Sequence, residues 1–220
     1  MCLAIAAIAF AVGLHLHRMS GMAFTNYDDM LMGLNADRMR MEGWWRTYHE
    51  LARGFALWQG RIYFYFSMIF FVLPFLIRSL VLRAVLSVLL QLGATCSVAA
   101  VLGLYTGFGN ALLFVALACA WLPYWLSVSP INGFPFVYHL PVILFFSGLA
   151  VWIHLARGRG KPRGAFRRPG LALAWGAVFV SLFFYEAVIP PFFLIALAVS
   201  AAEARRAAGK WSRTDRKSVV

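Results

Sequence analysis

From residue 62 onward the chain is a succession of apolar runs, at 62–77, 84–105, 111–128, 140–155, 171–187 and 191–202. Only short charged, proline or glycine blocks separate them, and a further apolar run occupies 2–16. Such runs are the material of membrane helices, which need about twenty residues to cross a bilayer. The totals agree: 62% of the 220 residues are hydrophobic and 13% charged, whereas a soluble domain is nearer half apolar and a quarter charged. The chain is expected to be all-α, one polytopic transmembrane helical bundle over 1–220. Run 2–16 is its first helix, since it lacks the basic n-region and the cleavage site of a signal peptide. The runs within 62–203 supply the remaining membrane helices.

Twenty Lys and Arg face eight Asp and Glu, a formal charge of +12. Much of that surplus stands in blocks between apolar runs, one from Arg157 to Arg168 without an acid and one from Arg205 to Lys217. The positive-inside rule accounts for such blocks. Both are expected in the cytoplasm of a bacterial inner-membrane protein, with no nucleic-acid partner. Cys2, Cys96 and Cys119 lie in apolar runs without metal-ligand spacing, and the histidines form no zinc triad.

The exception to all this hydrocarbon is a polar window at 25–61. It holds five of the eight acids: Asp28, Asp29, Asp37, Glu42 and Glu50. Thr25 followed by Asp28 matches a capping box, and Asn35 can cap a second helix. From Met41 the apolar residues Met41, Trp44/Trp45, Tyr48, Leu51, Phe55 and Trp58 keep three-and-four spacing. Arg46, Glu50 and Arg53 fall on the other side, and Arg46 and Glu50 stand four apart. Such a helix lies in the membrane interface plane, against membrane lipids. The segment 17–61 is thus expected to be an external loop built of short interfacial helices.

Four apolar runs separate this loop from the basic block at 157–168. An even number of crossings would leave both on one side, so either one run is not a full span or the window is cytoplasmic. Run 62–77 is short, contains Pro74 and is bounded by Arg61, Arg78 and Arg83; it is the expected exception. The tail, 204–220, is basic and non-periodic. Its last six residues, Asp215 to Val220, are what one frame of a common sequencing adapter encodes, so the chain is expected to be an N-terminal fragment of a longer protein.

Several residues can carry chemistry. Asp28 and Asp29 stand at the membrane face, where a carboxylate can serve as general base toward an acceptor hydroxyl. A simpler role is open to each: Asp28 as the capping-box acid, Asp29 as a hydrated surface group. Glu186, before Pro190-Pro191, is either an intramembrane carboxylate or an interfacial one. Tyr138 and His139 begin a span. The window arginines, Arg46 and Arg61 among them, can clamp a phosphate or pyrophosphate or anchor lipid headgroups.

The order of these features resembles the GT-C superfamily of integral-membrane glycosyltransferases. The likeness rests on a first helix, then Tyr27-Asp28-Asp29, interfacial helices, Gln59-Gly60-Arg61 before an apolar run, Tyr138-His139-Leu140-Pro141, and Tyr185-Glu186. It implies transfer of a sugar from a polyprenyl-phosphate-linked donor to a lipid, glycan or protein acceptor on the outer face. In that reading Asp28 is the base and Asp29 assists, in binding Mg or Mn where a metal is used. Arg46, Arg61, His139 and Glu186 line the substrate. Family members commonly have about twice as many spans. Two other classes stay open: a transporter or channel fragment with Glu186 as coupling carboxylate, and a non-catalytic membrane scaffold.

Overall fold

The computed structural model describes residues 2–20, 27–59, 64–121, 135–157, 167–184 and 189–217. Within them the chain is all-α, with nine helices and no strand. They are α1 (Cys2–Ser20), α2 (Tyr27–Glu42), α3 (Trp44–Gln59), α4 (Phe64–Leu76), α5 (Leu80–Thr106), α6 (Phe108–Trp121), α7 (Pro135–Arg157), α8 (Arg167–Ser181) and α9 (Ile189–Lys217). Two segments are long and apolar enough to cross a membrane, Leu80–Thr106 and Phe136–Arg157.

Those two helices, α5 and α7, pack on each other at the centre. Small residues set the approach, as they must where apolar surroundings supply little drive for apolar contact. A Cβ on Gly93 of α5 would stand 3.0 Å from Cδ1 of Ile143 on α7. Ser97 spends its hydroxyl on its own helix, donating to the Ala94 carbonyl at 2.8 Å. The α7–α8 approach is closer still, for a Cβ on Gly148 would fall 2.6 Å from the Ala174 carbonyl oxygen. Between them Phe145, Leu149, Ile153 and Val178 form a buried core, closed by Phe192 of α9. Phe192 stacks on Phe145 with ring centroids 4.1 Å apart. At the far end of α5 the chain reverses at Gly107, whose φ of +93° suits glycine, and α6 returns along α5. Helix α1 packs on α5 and α6, with Ala11 against Cys119.

Helices α2, α3 and α4 make a second layer. Gly43, at φ +103°, turns α2 into α3. On α3 the stripe Thr47, Tyr48, Leu51, Ala52, Phe55 and Ala56 faces inward, at positions recurring every four residues. It meets Met32, Ala36 and Met39 of α2 and Met68, Val72 and Phe75 of α4. Val137, at the start of α7, is fully buried in this same core. Both ends of α4 touch the α2–α3 pair. The Tyr48 hydroxyl donates to the Tyr65 carbonyl near its start. Arg40 donates to the Phe75 carbonyl at 2.7 Å near its end. Helix α4 therefore lies along the layer. Its thirteen residues rise about 20 Å, short of the ~30 Å hydrocarbon thickness.

Three local expectations change. Asn35 caps no helix; it is buried in the middle of α2. The break comes at Gly43 because six of the seven residues 36–42 are Ala, Met, Arg or Glu, all strong helix formers. Thr25 lies outside the described residues. Met41, Trp44 and Trp45, placed on the apolar stripe by spacing, are exposed instead: Met41 belongs to α2, across the turn at Gly43, and the two tryptophans stand in the first turn of α3. The basic tail is not irregular, since α9 continues to Lys217.

Candidate functional site

Polar groups gather in two bands at opposite ends of α5 and α7. Arg83 stands in the first turn of α5 and Tyr105 in its last, about 33 Å apart by helical rise. On α7, His139 and Arg157 are separated by about 27 Å.

The far band joins three helices that are distant in sequence. Arg157 of α7 donates to Glu203 of α9 at 2.7 Å and to the Leu104 carbonyl of α5 at 2.6 Å. Tyr105 donates to the same carboxylate at 2.9 Å, and the guanidinium carbon lies 4.8 Å from the tyrosine ring centroid. Arg206, 3.9 Å away, adds a weaker attraction. The Glu203 side chain is 10% exposed, so its charge depends on these partners. Spacing alone gives no sign of this cluster; the one signal is a lone acid at the head of a basic tail.

The near band is the α2–α4 layer. On its outer side Arg38 pairs with Glu42 at 2.9 Å and with Glu50 at 3.0 Å. Arg46 pairs with Glu50 at 3.1 Å. The Arg46 hydrogen bond holds the Glu50 carboxyl below the usual glutamate range, with Arg38 adding to it. The Glu42 carboxylate, with Glu50 behind it, raises the Arg38 guanidinium further above its ordinary value. The Arg38–Glu50 bond ties α3 to α2 across the Gly43 turn. On the inner side, burial pushes the Tyr48 hydroxyl up, which keeps it protonated as the donor to α4.

Between α2, the end of α4 and the start of α5 opens a cleft of about 330 Å³. Helix α2 presents Met30, Leu34, Asp37 and Arg40 to it, at spacings of four, three and three. Arg78 and Arg83 face them from the α4–α5 junction. Phe75 orients two of the three arginines: its carbonyl accepts from Arg40, and its ring centroid lies 5.3 Å from the Arg83 guanidinium carbon. Among the described residues that line the cleft, Asp37 is the acid, and it is ion-paired with Arg40.

Asp28 and Asp29 occupy the first turn of α2, and the side chains described on that helix begin at Met30. By register Asp28 shares the stripe of Met32, Asn35 and Met39, while Asp29 stands one turn before Gly33 at the cleft. Arg46 is not brought to the cleft; its side chain is 81% exposed and committed to Glu50. His139 is buried, two residues beyond Val137. Arg61 and Glu186 lie outside the described residues. Phe184, two residues before Glu186, packs on Phe70 of α4 with centroids 4.7 Å apart. Arg40 is one of the window arginines of the sequence reading, whereas Arg78 and Arg83 entered it only as the bounds of a run. Among the described residues no three His, Cys, Asp or Glu side chains come together as a metal would require. The chain matches no known family model, no curated protein and no solved structure.

Proposed function

We propose that this chain is part of a multi-pass bacterial inner-membrane glycosyltransferase of the GT-C type. It moves a sugar from a polyprenyl-phosphate-linked donor to a lipid, glycan or protein hydroxyl. The observation that supports this reading is convergence on α4. The α2 stripe that begins at Asp28, the start of α7 ahead of His139, and Phe184 ahead of Glu186 all pack against α4 or its core. Described residues close in sequence to three stretches that carry the resemblance thus border one layer, although they span some 150 residues of sequence. The two polar bands add support, since about 30 Å between them is the thickness of a bilayer's hydrocarbon. On this reading α4 is the run that does not cross, and the loop 17–61 stands on the outer face.

In the proposed reaction Asp28 takes the proton of the acceptor hydroxyl as that oxygen attacks the anomeric carbon. The bond from that carbon to the phosphate oxygen breaks, and the polyprenyl phosphate leaves with the electron pair. The test uses the full chain in membranes with labelled polyprenyl-phosphate mannose and glucose, reading release of polyprenyl phosphate. Asp28→Asn should remove transfer, while Arg53→Gln, on the exposed side of α3, should keep it. Transfer that survives Asp28→Asn and Asp29→Asn together refutes the site. Loss on Glu186→Gln of ion-coupled uptake, in a chain without sugar transfer, would instead make it a transporter.

A further inference from the structure

We infer that the basic half of α9 binds the headgroup phosphates of an anionic lipid leaflet. Two contacts fix the course of this helix. Phe192 stacks on Phe145 of α7, and Glu203 accepts from Arg157 at the end of α7. These contacts lie about 17 Å apart along α9 and about 18 Å apart along α7, so the two helices run in the same direction. Helix α7 ends at Arg157, whereas α9 continues from Glu203 to Lys217, about 21 Å further by helical rise. Its last turns therefore extend beyond the end of α7. The charge at that end cannot be balanced from within the chain. Arg205, Arg206, Lys210 and Arg213 follow Glu203 before the next acid, Asp215. Helix α8 starts beside them, since a Cβ on Gly170 would stand 3.1 Å from Cδ1 of Leu155 on α7, and its first turn has no acid. From Arg157 to Lys217 the chain holds twelve Lys and Arg against Glu186, Glu203 and Asp215. The other five acids lie in α2 and α3, at the opposite band.

Position along the helix decides which polyanion. Phe193, Leu194 and Leu197, in the turns between the two contacts, are exposed, so this stretch faces hydrocarbon beside α7, a helix of spanning length. Glu203 stands where α7 ends, at headgroup depth. Arg205 and Arg206, both exposed, follow about 3–5 Å further along the helix, Lys210 about 10 Å and Arg213 about 15 Å. Attraction to an anionic leaflet falls off within a Debye length, about 8 Å at physiological salt. Arg205 and Arg206 are inside that range even if α9 leaves the leaflet upright, and Lys210 is at its margin. The leaflet is thus the nearest source of phosphate, and a soluble polyanion would have to compete with it. Apolar turns followed by basic ones along one unbroken helix match acyl chain followed by phosphate. The inference concerns binding and does not rest on sugar transfer.

The test is amide hydrogen exchange of the full chain in nanodiscs of phosphatidylcholine alone and of an equal mixture with phosphatidylglycerol. Residues 204–213 should exchange about fivefold more slowly in the anionic discs, the scale of one cation at such a surface. In about 1 M salt, where the Debye length shrinks to about 3 Å, the difference should vanish. Arg205→Gln combined with Lys210→Gln should remove most of it, with exchange around Val137 unchanged as the sign of an intact fold. Glutamine has nearly the helix propensity of arginine and lysine, so the helix itself is kept. Arg46→Gln, at the opposite band, should leave the difference in place. Equal exchange in the two kinds of disc overturns the inference, as does a difference that survives the double variant. A short RNA that slows 204–213 in phosphatidylcholine discs as much as phosphatidylglycerol does would overturn the lipid. Because the readout is exchange in α9, a chain inactive in sugar transfer still gives a decisive answer.

Discussion

Replacing Gly148 by alanine adds one methyl group at the tightest crossing in the molecule. That carbon would lie 2.6 Å from the Ala174 carbonyl oxygen and 2.9 Å from a Val178 methyl group. A relaxed carbon–oxygen contact is about 3.3–3.6 Å, so α7 and α8 must part by roughly 0.7 Å or more. The oxygen belongs to the backbone and cannot rotate aside. Overpacking of this kind costs about 1–3 kcal/mol, and the rigid partner puts Gly148→Ala near the upper end. Alanine returns up to about 1 kcal/mol by its better helix propensity, which leaves a net loss of about 2 kcal/mol. Gly176→Ala is the matched control. It lies on α8, and its added Cβ meets nothing within 4 Å, so it should gain up to about 1 kcal/mol. Reversible unfolding in mixed micelles measures both. Opposite signs are expected. If Gly148→Ala is as stable as the parent while Gly176→Ala gains, the close α7–α8 approach described above is wrong.

Glu203→Gln should loosen α9 at its junction with α5 and α7, because it leaves Arg157 facing a neutral amide. The loss should be about 2 kcal/mol, the scale of a hydrogen bond to a charged group. Hydrogen exchange over 195–206 should rise while that around Val137 stays unchanged; unchanged exchange in both places would deny Glu203 this role. The α2–α3 pairing should also depend on pH in one direction. The Glu50 carboxyl is held below its ordinary range in the folded chain. Its contribution is therefore complete above the unfolded glutamate value of about 4.3 and is lost as pH falls through the depressed folded value. Exchange of 38–50 should be flat from neutrality to about pH 5 and rise below about pH 4. A rise centred near pH 6 would point to another group.

The apolar runs were readable because a helix in a membrane announces itself by composition over some twenty residues. Run 84–105 became α5 and run 140–155 the body of α7, each extended by a few residues at its ends. Pro74 and the flanking arginines marked α4 as the odd member, but length does not single it out, since α6 and α8 have only 14 and 15 residues against its 13. What spacing could not place were contacts between distant residues. Arg157 reads as part of a basic block until the fold sets Glu203 beside it, 46 positions later. Arg46 and Arg40 look alike in sequence, but helical phase sends one to Glu50 and the other to the cleft. The turn also took Met41 out of the stripe, since one glycine with positive φ ends the count and begins another.

The two polar bands make the molecule a ruler. Arg83 and His139 mark one end and Tyr105, Glu203 and Arg157 the other, with a fixed helical length between. A bilayer close to that length leaves both sets hydrated at their own surfaces. In a thicker membrane the charged ends are drawn toward hydrocarbon, and tilting cannot relieve them because the helices are already too short. The cost is a fraction of a kcal/mol per Å of mismatch. One junction that would feel it is the α2–α4 layer, which meets the helices of spanning length through α7's first turns. Acyl-chain length is thus a handle on this protein: a graded series of phosphatidylcholines should shift the layer's exposure to solvent while the α7–α8 crossing stays as it is.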